Sequence, residues 1–508
     1  MTGASTQARG QGWIWPLSVL IIGAFMSVLD TSIVNVAVPK IQTELSAAPD
    51  DVEWIVTGFT LALGIVVPLS GWLGDRLGMS RLYILAMVGF AVASALCGLA
   101  WDLSSMIAFR VLQAVPGGIL PVVSLTMLYR VVPLDRIGAA MGIYGLGVVV
   151  APAVGPVLGG YLVQYIDWRL IFFINVPIGL LGSVAAVAAF PRIRPTIWPK
   201  FDFWGFVTIA YGLFALLLAL SEGHDWGWTG YRVLLLFVTG LLSLALFVVI
   251  ELEVESPIID LRIFTGWAYT NSILLLGIAV TGLFTVLYFV PQFLQVVQGL
   301  QALDAGLVLV PSAVILVVLM PLAGRLYDRF GPRWPVTIGL AIMAYGSFLM
   351  AGLTPDTPRF DLSVWTTIRN LGTGLAMMPI FASGVSSLPA RLTSAGSGMN
   401  NVMQRVASSV AVAVFGSLGA SASAQMLTDR GGLYASGASA LPQVATATGQ
   451  GAAGLLGMYQ AMNLSVTTRT YDNGFYAVGI LCVVGALLAL TLRNGRAAPT
   501  SEPVHVEM

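Results

Sequence analysis

The sequence predicts an all-α polytopic membrane protein, built as two six-helix bundles with two further helices inserted between them. Three observations carry this. Of 508 residues, 57% are hydrophobic and only 9% are charged, whereas soluble domains carry about 25% charged residues. The apolar residues gather in fourteen runs, each near the ~20 residues an α-helix needs to cross a ~30 Å hydrocarbon core. The early part of the chain also recurs in the later part.

In chain order the runs lie near 16–39, 52–73, 81–100, 104–129, 137–163, 170–190, 203–221, 232–250, 268–296, 302–323, 334–353, 362–386, 398–421 and 474–493. The first is too long for the apolar core of a cleavable leader. The ninth is long, and Pro291, which lacks an amide hydrogen, is expected to kink it. With the N-terminus inside, fifteen Lys and Arg residues fall in cytoplasmic segments and six outside. That asymmetry satisfies the positive-inside rule and puts both termini in the cytoplasm. Residues 422–472, rich in small side chains, would face outside as a loose loop or a short helical hairpin, with the hairpin slightly preferred.

Formal net charge is zero, which implies neither a nucleic-acid surface nor an acidic-substrate surface. Cys97 and Cys482 lie within apolar runs and read as small buried hydrophobes. His224 and His505 fall in a loop and in the tail, so no His/Cys cluster suggests a metal.

The repeat divides the chain. "GWLGDRLG" at 71–78, after the second run, returns as "GRLYDRFG" at 324–331, after the tenth. "FRVLQAVPGGILP" at 109–121 has a looser echo in "IRNLGTGLAMMP" at 368–379. We therefore expect a bundle at 1–201, two inserted helices at 202–251 and a second bundle at 252–508 carrying the 422–472 loop. Parallel halves of this kind are a transporter architecture, with cargo bound between them near the bilayer midplane. No constellation of side chains suggests an enzyme.

Four stretches, in this order and among fourteen runs, resemble the major facilitator superfamily and its branch of fourteen-span drug:proton antiporters. They are "LDTSIVNVAVP" (29–39), "GWLGDRLGMSR" (71–81), "APAVGPVLGG" (151–160) and "DWRLIFFINVPIG" (167–179). Two departures stand out. Met79 and Ser80 precede Arg81 where the family's loop has two basic residues, and Ala114 and Pro116 replace glycines of its fourth-span pattern.

The candidate residues follow. Asp30 lies some 20 Å along the first run, where a carboxylate costs about 3 kcal/mol. A carboxylate balanced between desolvation and a nearby arginine suits proton coupling, a role the resemblance also implies. Arg110, with Gln113 beside it, is the expected electrostatic partner, and Arg369 is its repeat-mate. Gly71, Asp75, Arg76 and Gly78, with Asp328 and Arg329 in the repeat, form an expected conformational latch. There a carboxylate accepts hydrogen bonds from a helix N-terminus of the other half. Pro152, Gly155, Pro156, Gly159 and Gly160 form a small-residue face in the fifth run that permits close helix packing, and the resemblance implies a role in antiport. Met26, Phe59, Gln113, Tyr144, Tyr288, Gln292, Gln295, Met377 and Met378 are candidates for an adaptable cargo cavity.

The expected function is proton-driven export of amphipathic drugs or other lipophilic compounds by alternating access. The alternative cargo is a lipid, siderophore or other native metabolite. A non-transporting membrane sensor is a third reading, disfavoured by the lack of a soluble output domain. No cofactor is expected, the proton gradient being the energy source. The expected partners are a lipophilic or cationic small molecule, protons and the bilayer of a bacterial cytoplasmic (inner) membrane. A periplasmic adaptor is left open, and a monomer is expected to suffice.

Overall fold

A computed structural model of the chain describes residues 12–133, 136–190, 200–223, 226–300, 302–389, 392–393, 395–411 and 451–492. Among these residues all regular structure is helical. The described residues of the fourteen apolar runs lie mainly on helices, and the helices are numbered α1 to α14 accordingly. The first six are α1 Ile14–Glu44, α2 in two pieces (Trp54–Val66 and Leu69–Leu77), α3 Met79–Gly98, α4 Leu103–Val131, α5 Ile137–Tyr165 and α6 Leu170–Ala189. The inserted pair is α7 Phe203–Glu222 and α8 Tyr231–Glu253. The rest are α9 Trp267–Val297, α10 Ala302–Phe330, α11 Arg333–Met350, α12 Arg359–Ser386, α13 at 395–411 and α14 Gly451–Ala489. Nine of the helices found among the described residues are long and apolar enough to cross a membrane, or ten with the bent α2 pair. That is compatible with fourteen crossings.

The breaks have local causes. The pieces of α2 meet at 57° beside Pro68, whose ring cannot continue the amide ladder. Pro291 ends the regular part of α9, and a π-turn follows at Phe293–Val297, where the chain was expected to kink. Asp102 caps α4: its carboxylate accepts from the Ser105 amide at 2.7 Å, and the Ser105 hydroxyl pairs with the Asp102 backbone amide. Those contacts hold the Asp102 carboxyl below the usual aspartate range.

α14 departs from expectation. It begins at Gly451 rather than near 474, so the second half of the expected 422–472 loop is helix continuous with the last span. The first half of that stretch lies outside the described residues.

Packing follows the repeat. α1 packs on α4, α5 and α6, α3 on α4 and α6, and α2 on α4. In the second half, α12 packs on α9, α10 and α11, and α14 packs on α9 and α11. The inserted pair packs on itself and, through α7, on α2. α8 is mostly exposed along its apolar length, as a helix facing lipid should be. The halves meet chiefly where α5 lies along α10. The repeated loops also share a conformation: Gly78 and Gly331 hold φ of +84° and +78°, a left-handed region that glycine enters without a Cβ clash.

Candidate functional site

Asp30 is fully buried in the first bundle, and side chains from neighbouring helices converge on it. Arg110 of α4 donates from one terminal nitrogen to Asp30 Oδ2 at 2.5 Å. Gln113 is three residues further on, on the same helical face, and donates to Asp30 Oδ1 at 3.0 Å. Asn175 of α6 donates to that same oxygen at 3.0 Å. A buried charge is tolerable only when paired and hydrogen-bonded, and both conditions are met.

A second layer fixes these donors. Arg110 also donates to Gln113 Oε1 at 2.7 Å and, through Nε, to the Ile55 carbonyl of α2 at 3.3 Å. The Gln113 amide reaches Ser94 Oγ of α3 at 2.6 Å, and the Cys97 thiol donates to Gln113 Oε1 at 3.5 Å. The Phe59 ring lies 3.8 Å from the guanidinium carbon and the Phe172 ring 5.7 Å. The guanidinium therefore has an acid, a carbonyl, an amide oxygen and an aromatic face around it. If Asp30 took up a proton, Arg110 would still have three partners.

Asp30, Arg110 and Gln113 were legible from the sequence, and the structure brings them together. Asn175 and Ser94 were not singled out. The available signal was a lone polar side chain in an otherwise apolar span, inside "FFINVPIG" for Asn175. Other residues of that motif anchor one end of the bundle. Trp168 Nε1 donates to Glu44 at 2.7 Å, and Arg169 donates to the Ala100 carbonyl at 3.1 Å.

The repeated loops lie at the other end. The Asp328 carboxylate accepts from the Gly138 and Ala139 amides at 3.0 and 3.1 Å. These are first-turn donors of α5 without intrahelical partners, at the positive end of its dipole. Gly138 and Gly324 let α5 and α10 touch there, since a Cβ on Gly324 would meet the Gly138 carbonyl carbon at 2.6 Å. Tyr129 of α4 adds a bond to the Phe381 carbonyl of α12 at 3.4 Å. Asp75 is exposed near the end of the second piece of α2, and Arg76 lies over the Trp72 ring at 5.0 Å. Arg329 stands over Phe330 at the end of α10 at 5.2 Å. Gly71 is half-buried and Gly78 supplies the turn.

The small face of α5 serves two neighbours. Near the loop end, a Cβ on Gly142 would lie 2.6 Å from the Met320 carbonyl of α10. Further along, a Cβ on Gly159 would lie 2.8 Å from Ile33 Cγ1 of α1, and Gly155 abuts Ser32. Gly160 has open space. The side chains of Pro152 and Pro156 lie outside the described residues.

The cargo candidates are spread out. Met26 and Phe59 are fully buried in the first bundle, and Gln113 belongs to the Asp30 network. Tyr144 donates to the Pro121 carbonyl at 3.5 Å. Met378 reaches across the halves to Gly145, where a Cβ would lie 2.7 Å from its sulfur, and Met377 is buried beside it in sequence. Tyr288 and Gln295 are exposed on α9, and Gln292 is half-buried. Helices that are apolar all round give the sequence no face to read.

The model of the Major Facilitator Superfamily matches residues 20–412. The tetracenomycin C resistance and export protein of Streptomyces glaucescens is 33% identical, over 84% of this chain and 80% of its own. The multidrug export protein EmrB of Escherichia coli (strain K12) is 31% identical, over 82% of this chain and 80% of its own. Among solved structures, the proton:xylose symporter XylE bound to 6-bromo-6-deoxy-D-glucose aligns at a TM-score of 0.60. It shares 14% identity and covers 94% of each chain, a likeness of fold.

Proposed function

This chain belongs to the Major Facilitator Superfamily, and on that premise we propose that it exports amphipathic compounds in exchange for protons. The buried Asp30–Arg110 pair carries the proposal. In the deprotonated state the pair is closed and the Gln113 and Asn175 amides hold the carboxylate. A proton arriving from outside neutralises Asp30, removes its attraction for Arg110 and leaves the guanidinium on Ile55, Gln113 and Phe59. α1, α2, α3, α4 and α6 all contribute to this network, so the change in bonding reaches the whole first bundle.

The bundle's response is read at α5, which packs on α1 through Gly155 and Gly159 and on α10 through Gly138 and Gly142. With the repeated loops taken as cytoplasmic, the Asp328 bonds to α5 close that side. The arrangement corresponds to a transporter shut toward the cytoplasm. Relatives named for drug and antibiotic export support the cargo class. Each charge moved through 100 mV supplies about 2.3 kcal/mol, whereas exchange of one proton for a monovalent cation moves no net charge and draws on the pH gradient alone.

The test is efflux from proteoliposomes under an imposed pH gradient. Asp30→Asn should abolish gradient-driven efflux, and full proton-coupled activity in that variant would overturn the assignment.

A second reading keeps the mechanism and makes the cargo lipid-like. An apolar groove of about 260 Å³ lies between α2, α4 and the inserted α7, lined by Trp54, Gly58, Ile107, Val111 and Phe214. It sits on the same piece of α2 that carries Phe59. Transport of fluorescent lipid without transport of dyes would favour this reading.

A further inference from the structure

The internal repeat gives the Asp30 site a counterpart in the second bundle, and that counterpart lacks the acid. Arg369 holds in α12 the place of Arg110 in α4, and Ser347 holds in α11 the place of Ser94 in α3. Arg369 is fully buried, and its Nε donates to Ser347 Oγ at 3.1 Å. From α9, the counterpart of α1, the residue facing Arg369 is Gly282. A Cβ there would lie 2.9 Å from Arg369 Nη2 and 3.7 Å from Cys482 Sγ of α14. A glycine thus stands where the first bundle has Asp30.

Among the described residues, neither Nη1 nor Nη2 of Arg369 has a hydrogen-bond partner, and the ion pairs found there do not include it. A guanidinium does not shed its proton in proteins, so this charge cannot escape burial by neutralising itself. Its two free terminal nitrogens form the planar fork that binds small anions and carboxylates.

We propose that Arg369 is a binding site for a small monovalent anion, chloride or a carboxylate, held among α9, α11, α12 and α14. The anion takes the electrostatic role that Asp30 fills in the first bundle. The first site thus exchanges a proton on a fixed acid, while the second carries a fixed cation with an exchangeable counter-ion. A ligand bound only by the folded state raises stability with its concentration, which gives a readout that does not require knowledge of the cargo.

The experiment uses the purified full chain in lipid nanodiscs. Unfolding temperature is followed as sodium chloride, or sodium acetate, replaces sodium HEPES at constant ionic strength. The expected result is a saturable upward shift with chloride or acetate. Preference for chloride identifies an inorganic ion from solution, and preference for acetate identifies a carboxylate such as the acid group of a cargo. Gly282→Asp supplies an internal carboxylate and should flatten the response while raising the anion-free unfolding temperature. Its nearest neighbours are side-chain ends, Arg369 Nη2 and Met343 Cε at 3.0 Å, which can shift to admit it. Arg369→Gln should flatten the response as well. A wild-type protein indifferent to both anions overturns the proposal, as does an anion response that persists unchanged in Gly282→Asp.

Discussion

Arg110 meets Asp30 at 2.5 Å with both side chains sealed inside the first bundle, and the same guanidinium rests 3.8 Å from the Phe59 ring. Each partner keeps contacts beyond the pair: Asp30 also accepts from Gln113 and Asn175, and Arg110 also has the Ile55 carbonyl, Gln113 and Phe59. Neither side chain is left without partners if the charge between them changes.

Asp30→Asn should therefore fold, because Gln113 and Asn175 can still donate to its amide oxygen. It should lose gradient-driven efflux by on the order of 10²-fold or more, the general scale for removing a proton-transfer group. Efflux from proteoliposomes, paired with the unfolding temperature, separates lost coupling from lost protein.

Arg110→Leu leaves a buried carboxylate unpaired and should destabilise the chain by about 3–5 kcal/mol. Adding Asp30→Leu to it should recover much of that loss, since both charges are then gone. A double-mutant cycle on unfolding free energies checks this, and simple additivity of the two changes would contradict the pairing.

Asp328→Ala removes the acceptor for the first amides of α5, a cap worth about 0.5–2 kcal/mol. Closure at the loop end should weaken by a matching factor, up to roughly thirtyfold. Crosslinking between cysteines placed at Ala139 and Arg325 should fall in this variant.

Gly159→Val should separate α5 from α1, because its Cβ would meet the Ile33 carbonyl at 3.1 Å as well as the Ile33 side chain. A cost of about 1–3 kcal/mol is expected for overpacking. Gly160→Ala, with open space around it, should lie within about 0.5 kcal/mol of wild type. Equal effects at the two positions would refute the packing assignment.

Much of this was legible in the residues themselves. Composition and run length determined an α-helical membrane protein, because hydrocarbon requires every backbone group to be satisfied within a helix. The recurrence of Gly-x-x-x-Asp-Arg-x-Gly determined two related halves, and Gly78 and Gly331 adopt matching left-handed turns. Asp30 was conspicuous because a lone acid deep in an apolar run is costly, and Arg110 because it is one of few cations within a span.

What the sequence left open was which faces meet. Phe59 read as a cargo contact on composition, and the fold also sets its ring against the Arg110 guanidinium. Asn175, 145 positions from Asp30 along the chain, and Ser94 join the site only through helix packing. The same holds for the second bundle, where Arg369 looked like a simple repeat of Arg110. Only the approach of α9 brings Gly282 against it, and among the described residues no acid pairs with it. Depth in the bilayer is written locally, in the length and polarity of each run. Partnership across helices depends on rotation and register, which apolar faces do not specify and which packing of the whole bundle decides.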